Sequence, residues 1–295
     1  MTETLATLTY RVASNIPNFL SEATATGGSK TTIIDTVNRI TENEPDDYWN
    51  SGTGWVVKDA GGAGAAPQGE FDIISDFAST TGTLTFATGF TVAVGAGDRY
   101  AISKRKYSKE QLIQGVNVAI ADLGKILVVD STSVTTAANQ TEYELPVGVT
   151  DDNLRRVYFQ TNDDDTDDNR WQEIYNWRVQ KTTIGSAPLL ILPEQFPSSY
   201  SIQLHYAGEH DPLYAYSDKL CEGVPWERIV YRAAWWVMTN KQRGTNTLLQ
   251  QRIDTLATLA ADAITNHPLI IPPKTPRIIY AAKRYESTDI DKVHL

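Results

Sequence analysis

The chain has 295 residues, 21% of them charged and 41% apolar, with a net charge of −10 and one cysteine. That length is where one core gives way to several, so two or three sub-domains are expected, and the composition excludes wholesale disorder. The lone Cys221 excludes an internal disulfide or a cysteine-rich metal site, the acidic balance argues against a tight grip on nucleic-acid phosphates, and no run approaches the roughly 18 apolar residues of a membrane span or a signal peptide's layout, so a cytosolic chain with no membrane partner is expected.

The first element is a helix. Leu5, Leu8, Val12 and Ile16 recur at helical spacing and stop before Pro17, which disfavours helix in the residue preceding it. This helix fills the segment 1–22. From 23 to 106 the texture turns to Gly, Thr and Ser with short β-branched runs. Leu84 and Phe86, then Tyr100 and Ile102, alternate with polar residues as in strands with one buried face, so a small β barrel or sandwich is expected there. Ser108 and Gln111 form a capping box that opens a second helix within 107–130, with Leu112, Val116, Ala119 and Ile120 on one face and Gly124 as its stop.

Residues 131–215 read as β again, with Val157 and Phe159, and Ile202, Leu204 and Tyr206, in alternation. A helical hairpin follows in 216–266. Pro225 suits a first helical position, Trp226, Ile229, Val230, Ala233, Trp236 and Val237 make one stripe, and Thr247 with Gln250 reads as a capping box for the next helix. The second stripe is Leu249, Ile253, Leu256, Leu259, Ala260, Ala263 and Ile264. Two helices cannot bury two stripes alone, so the expected fold is α+β: an antiparallel helical bundle interrupted by two β-rich insertions. The remaining 267–295 is expected as an extended tail, because Pro268, Pro272, Pro273 and Pro276 forbid a helix. Its bases have no acid between Pro268 and Tyr285, so a partner-binding segment is expected at Ile270, Ile271, Lys274, Arg277, Ile278, Ile279, Tyr280, Lys283, Arg284 and Tyr285.

The segment Thr24 to Ser29 entering the β module, the Gly97-Asp98-Arg99-Tyr100 exit strand, the Tyr107-Ser108-Lys109-Glu110 helix start and Glu142-Tyr143-Glu144-Leu145-Pro146 follow one another in an order that resembles head-to-tail adaptor (neck or connector) proteins of tailed bacteriophages. Further on, Tyr206-Ala207-Gly208-Glu209-His210 and the Val224 to Val230 opening of a long helix are similar to the same family. The resemblance implies a structural virion protein, assembled in the host cytoplasm, that forms a ring under the portal protein, usually a dodecamer. It would lie between capsid and tail and meet a further neck or tail protein, while genomic DNA passes through without tight binding.

No active site, cofactor or metal site is expected. Gly28-Ser29-Lys30-Thr31 looks like a phosphate loop, but Ser29 replaces the Gly before Lys30 and Thr24 stands where the first Gly belongs. Gly62, Gly64 and Pro67 fail a dinucleotide fingerprint. The acidic run Asp163, Asp164, Asp165, Asp167 and Asp168 lacks the Gly and Glu that a calcium loop needs at Asp168 and Ile174, which leaves open whether it holds a cation. His205 and His210 flank Glu209, but the first alternates outward on a strand. Tyr100 and Lys104 have a reductase-like spacing without a cofactor loop. The rival to a neck protein is a tail or head-decoration protein that binds host-surface glycan through Trp49, Trp55, Trp171 and Trp177; the same residues would serve equally as β core. A glycan hydrolase would need two carboxylates about 5 to 9.5 Å apart in a cleft, which a sequence does not reveal.

Overall fold

The computed structural model describes residues 3–40, 44–62, 66–161, 171–181, 187–241 and 247–275. Among them, fourteen strands build three antiparallel sheets of seven, four and three strands, accompanied by four short helices. The expected helical bundle with two β-rich insertions is therefore wrong: the chain is mostly β-sheet. The reason is that each β-rich stretch has a hydrophobic core of its own, so the sheets rather than the helices carry most of the architecture.

Two compact units divide the chain, residues 1–126 with 209–270, and residues 127–208 with 271–295. The first begins with α1 (Leu5–Ser14), capped by Thr4, whose Oγ1 accepts from the Thr7 N–H at 3.3 Å. Strands β1 (Leu20–Thr24), β2 (Gly27–Gly28), β3 (Thr32–Ile34), β4 (Thr53–Lys58), β5 (Phe71–Ala78), β6 (Thr83–Phe86) and β7 (Arg99–Ser103) follow, in the spatial order β1-β7-β4-β5-β6-β3-β2. Only Ala25 and Thr26 separate the two outermost strands. The Ala25 N–H donates to Asp98 O at 2.8 Å on the β7 side, and the Thr26 N–H donates to Ile34 O at 2.7 Å on the β3 side. A single bent segment thus borders both edges and closes the sheet into a barrel, which removes the exposed edges an open sheet would carry. Trp49, Ile74, Phe77, Leu84, Tyr100 and Ile102 fill the barrel. Gly54 makes room for one wall, since a Cβ there would lie 2.6 Å from Phe86 Cε1.

Four buried carboxylates, of which the sequence reading named only Asp98 as part of a segment, tie the barrel's loops. Asp35 accepts from the Val37 and Asn38 N–H groups and from Tyr100 Oη at 2.8 Å, and Asp98 from the Ala60 and Gly95 N–H groups. Glu70 accepts from Thr91 N–H and hydroxyl; Asp72 accepts from the Thr88 and Gly89 N–H groups and from Lys109 Nζ at 3.1 Å. Burial disfavours the charged form of Asp72, but the N–H groups of Gly89, Thr88 and Ile73 together with Lys109 outweigh it and hold its pKa below the usual carboxylate value.

Helix α2 (Lys109–Ala121) starts at Ser108, whose N–H donates to Gln111 Oε1 at 3.2 Å. Helices α3 (Trp226–Lys241) and α4 (Thr247–Asn266) complete the unit, with α3 packed against α1, α2 and α4. Helix α3 opens at Trp226, so Pro225 precedes the helix rather than filling its first position, and the loop before Thr247 lies outside the described residues. Close approach of α2 and α3 depends on Gly115, where a Cβ would meet Val237 Cγ2 at 2.6 Å.

In the second unit β8 (Ile126–Thr135), β10 (Leu154–Gln160), β11 (Trp171–Glu173) and β14 (Ser201–Gly208) form one sheet in the order β11-β10-β14-β8. The other is β12-β13-β9, from β9 (Glu142–Glu144), β12 (Arg178–Gln180) and β13 (Leu189–Ile191). Tyr143, Val157, Phe159, Leu190, Ile202 and Leu204 share a core between them, which makes the unit a sandwich. The register of β10 against β14 slips between Leu154 and Arg156. At that irregularity the Arg155 carbonyl accepts the Thr275 N–H at 2.9 Å, so the chain's return segment is tied to the sandwich. No described helix is long and apolar enough to cross a membrane.

Candidate functional site

Two features offer surface to a partner. The first is a groove of about 340 Å³ between α2, α3 and α4, lined by buried Ala119 and Ala260, by the exposed Ala257 and Ala261, and by Trp235 and Ile264. It exists because the apolar stripe of α4 is wider than the unit covers: Ile253, Leu256, Ala260 and Ala263 are buried, while Ile264 remains 57% exposed. Two guanidinium groups line it. Arg232 is matched, with Asp122 Oδ2 at 2.6 Å and the Trp235 ring 4.3 Å from its Cζ. Arg228 is not: Nη1 donates to His267 O at 3.3 Å, Nε is buried without a hydrogen-bond partner among the described residues, and burial holds its pKa below the ordinary value.

The second feature is the turn Pro146–Val149. Val149 N–H donates to Pro146 O at 3.0 Å and Gly148 has φ +87°, a left-handed backbone that places Val147 at the apex. Asn153 locks it: Nδ2 donates to Gly148 O at 2.7 Å, and Oδ1 accepts the Thr150 N–H at 2.7 Å. Lys274 Nζ grips the neighbouring Asp151 at O and Oδ1, at 2.6 and 2.7 Å. The rigid turn leaves Val147 fully exposed. Sequence reading missed this position; its only local signal was an aliphatic residue between Pro146 and a glycine.

Of the expected partner-binding tail residues, Ile270 is 78% exposed and Ile271 is half-buried. Lys274 is bound within its own chain, to Asp151 and 5.3 Å from the Trp177 ring centroid, and Thr275 beside it donates through Oγ1 to Glu173 Oε1 at 2.7 Å. Arg277, Ile278, Ile279, Tyr280, Lys283, Arg284 and Tyr285 lie outside the described residues, as do Asp163, Asp164, Asp165, Asp167 and Asp168.

The tryptophans proposed for glycan contact separate. Trp49, Trp55 and Trp177 are core residues, and Trp55 Nε1 donates to Thr9 Oγ1 at 3.3 Å; Trp171, paired with Gln160, is half-buried. The phosphate-loop look-alike is the β2–β3 hairpin, whose Ser29 and Lys30 carbonyls accept Val94 and Phe90 N–H groups. His205 lies beside the Tyr158 ring at 4.6 Å with Gln203 Oε1 2.9 Å from Nε2, while His210 Nε2 accepts the Cys221 N–H at 2.9 Å; among the described residues no group of three potential metal ligands converges. Tyr100 is turned into the barrel toward Asp35, and burial pushes its pKa up; Lys104 instead lies 5.3 Å from the Tyr48 ring centroid. No protein-family model matches the chain, and no curated protein matches it.

Proposed function

We propose that the chain is a structural protein of a phage virion neck: a head-to-tail adaptor that forms a ring below the portal, joins capsid to tail and surrounds the DNA channel. One observation supports this reading above its rivals, the display of aliphatic side chains on rigid elements, Val147 at a locked turn and Ile264 at a helical groove, where other chains can cover them. The segments that carry the resemblance also sit at joints of the fold. Thr24 to Ser29 is the bend that closes the barrel, Asp98 ties two of its loops, and Glu142 to Pro146 leads through β9 into the Val147 turn.

In this reading the partners are further copies of the chain, the portal protein and another neck or tail protein. The net charge of −10 lets DNA pass without sticking. Neither cofactor nor turnover is involved. Native mass measurement of the isolated chain, and of the chain mixed with the portal protein of the same virion, tests the proposal. A closed oligomer that adds to the portal with fixed stoichiometry is expected. A chain that neither binds portal nor occurs in purified virions is not a neck protein. Binding on a glycan array would favour the decoration-protein reading, for which Trp171 is the one of the four that is not buried.

A further inference from the structure

We infer that the Val147 turn of one copy seats in the α2–α3–α4 groove of a second copy of this chain. This contact rests on the ring-forming reading and gives it a specific interface. The turn is preorganised by Asn153 and by the Lys274–Asp151 pair, so little conformational freedom is lost when Val147 is covered. The groove is small, apolar and open on one side, and a valine carried by a narrow turn can enter it where a flat sheet face cannot.

Charge complementarity supports this pairing. Arg228 at the groove has no carboxylate partner among the described residues. Exposed Glu144 and Asp152 flank the Val147 turn, and neither side chain is engaged by another described residue. The alternatives fit less well. Val37 lies two residues from Arg39, and Ile270 leads into the basic tail segment. A carboxylate brought to Arg228 would compensate a partly desolvated cation while fixing the register of the contact. Because turn and groove are different surfaces, the contact is heterologous, and repeating it generates a ring wherever the rotation closes.

The test uses full-length chains in a Cys221→Ser background. Val147→Cys protein is mixed with Ala261→Cys protein and oxidised, with Thr81→Cys, at an exposed barrel turn, replacing Val147→Cys in the control. The first pair is expected to form disulfide-linked dimers at least roughly tenfold faster than the control pair, and Arg228→Glu in the groove-bearing partner should remove most of that advantage. Adding Glu144→Lys and Asp152→Lys to the turn-bearing partner should restore it. Equal rates for both pairs overturn the contact. Selective cross-linking in a chain that never binds portal would retain the contact and remove the neck assignment; portal attachment with cross-linking at the control rate would do the reverse.

Discussion

Gly115 gives the sharpest test of how the helices pack. In an open helix, Gly→Ala stabilises by about 1 kcal/mol, because alanine loses less backbone entropy. At Gly115 the added Cβ would lie 2.6 Å from Val237 Cγ2, 3.3 Å from the Ala233 carbonyl and 3.5 Å from Trp236 Cε3. Val237 is 1% exposed and β-branched, so it has little rotamer freedom with which to retreat, and the Ala233 carbonyl is part of a helix backbone. Overpacking of that kind costs about 1–3 kcal/mol, which reverses the propensity gain and leaves a net loss of roughly 1 kcal/mol. For a unit of this size the melting midpoint should fall by about 2–4 °C. Val237→Ala removes the obstructing methyl, so Gly115→Ala should be neutral or stabilising in that background, a coupling of roughly 1–2 kcal/mol in a double-mutant cycle. Denaturant titration of the four proteins measures it. If Gly115→Ala raises stability by the full helix-propensity increment in both backgrounds, the close crossing of α2 and α3 does not exist.

Four further outcomes are expected. The pKa of Asp72 is depressed in the folded chain, so its contribution is complete above the unfolded value near pH 4 and is lost as pH falls through the lower folded value. Asp72→Asn should lose about 1.5–3 kcal/mol at neutral pH and show less acid dependence in urea unfolding below pH 4; an undiminished dependence would show that another group carries it. Ile253→Asp, at a position 5% exposed, should cost several kcal/mol, and a cooperative wild-type-like melt would remove Ile253 from the core. Affinity for duplex DNA at physiological salt should be weaker than about 1 μM, and tighter binding by fluorescence anisotropy would contradict a non-stick channel wall. A chain ending at Thr275 should keep the sandwich's stability, whereas one ending at His267 should lose about 1–3 kcal/mol in hydrogen-exchange protection of β10, since it lacks the Lys274 and Thr275 anchors.

Helical positions were legible in the sequence because their information is local. The spacing of Leu5, Leu8 and Val12, and of Ile253, Leu256, Ala260 and Ala263, reports burial directly, and these residues are buried. The weight of the β part was not legible, for two reasons. Strands of three residues such as β11, β12 and β13 are too short to display an alternation. Barrel closure also depends on pairings such as Leu20 with Ser103, to which no local pattern points. Counting stripes that needed partners therefore overvalued the helices. It also misread Ile264, which completes the stripe of α4 in sequence but lies on the part of that stripe the unit leaves uncovered.

Charge was the least legible property. Lys274 looked available to a partner because no acid lies near it in sequence, yet its carboxylate is Asp151, 123 positions away, on the loop that holds the Val147 turn. Arg228 shows the converse. It follows Glu227 directly, but successive residues on a helix point away from each other, and Arg228 lines the groove without an ion-pair partner among the described residues. Lys274 and Asp151 thus tie the segment ending at Thr275 to the loop beside the Val147 turn. Removal of the chain beyond Thr275 should therefore leave both anchors, and the turn, in place.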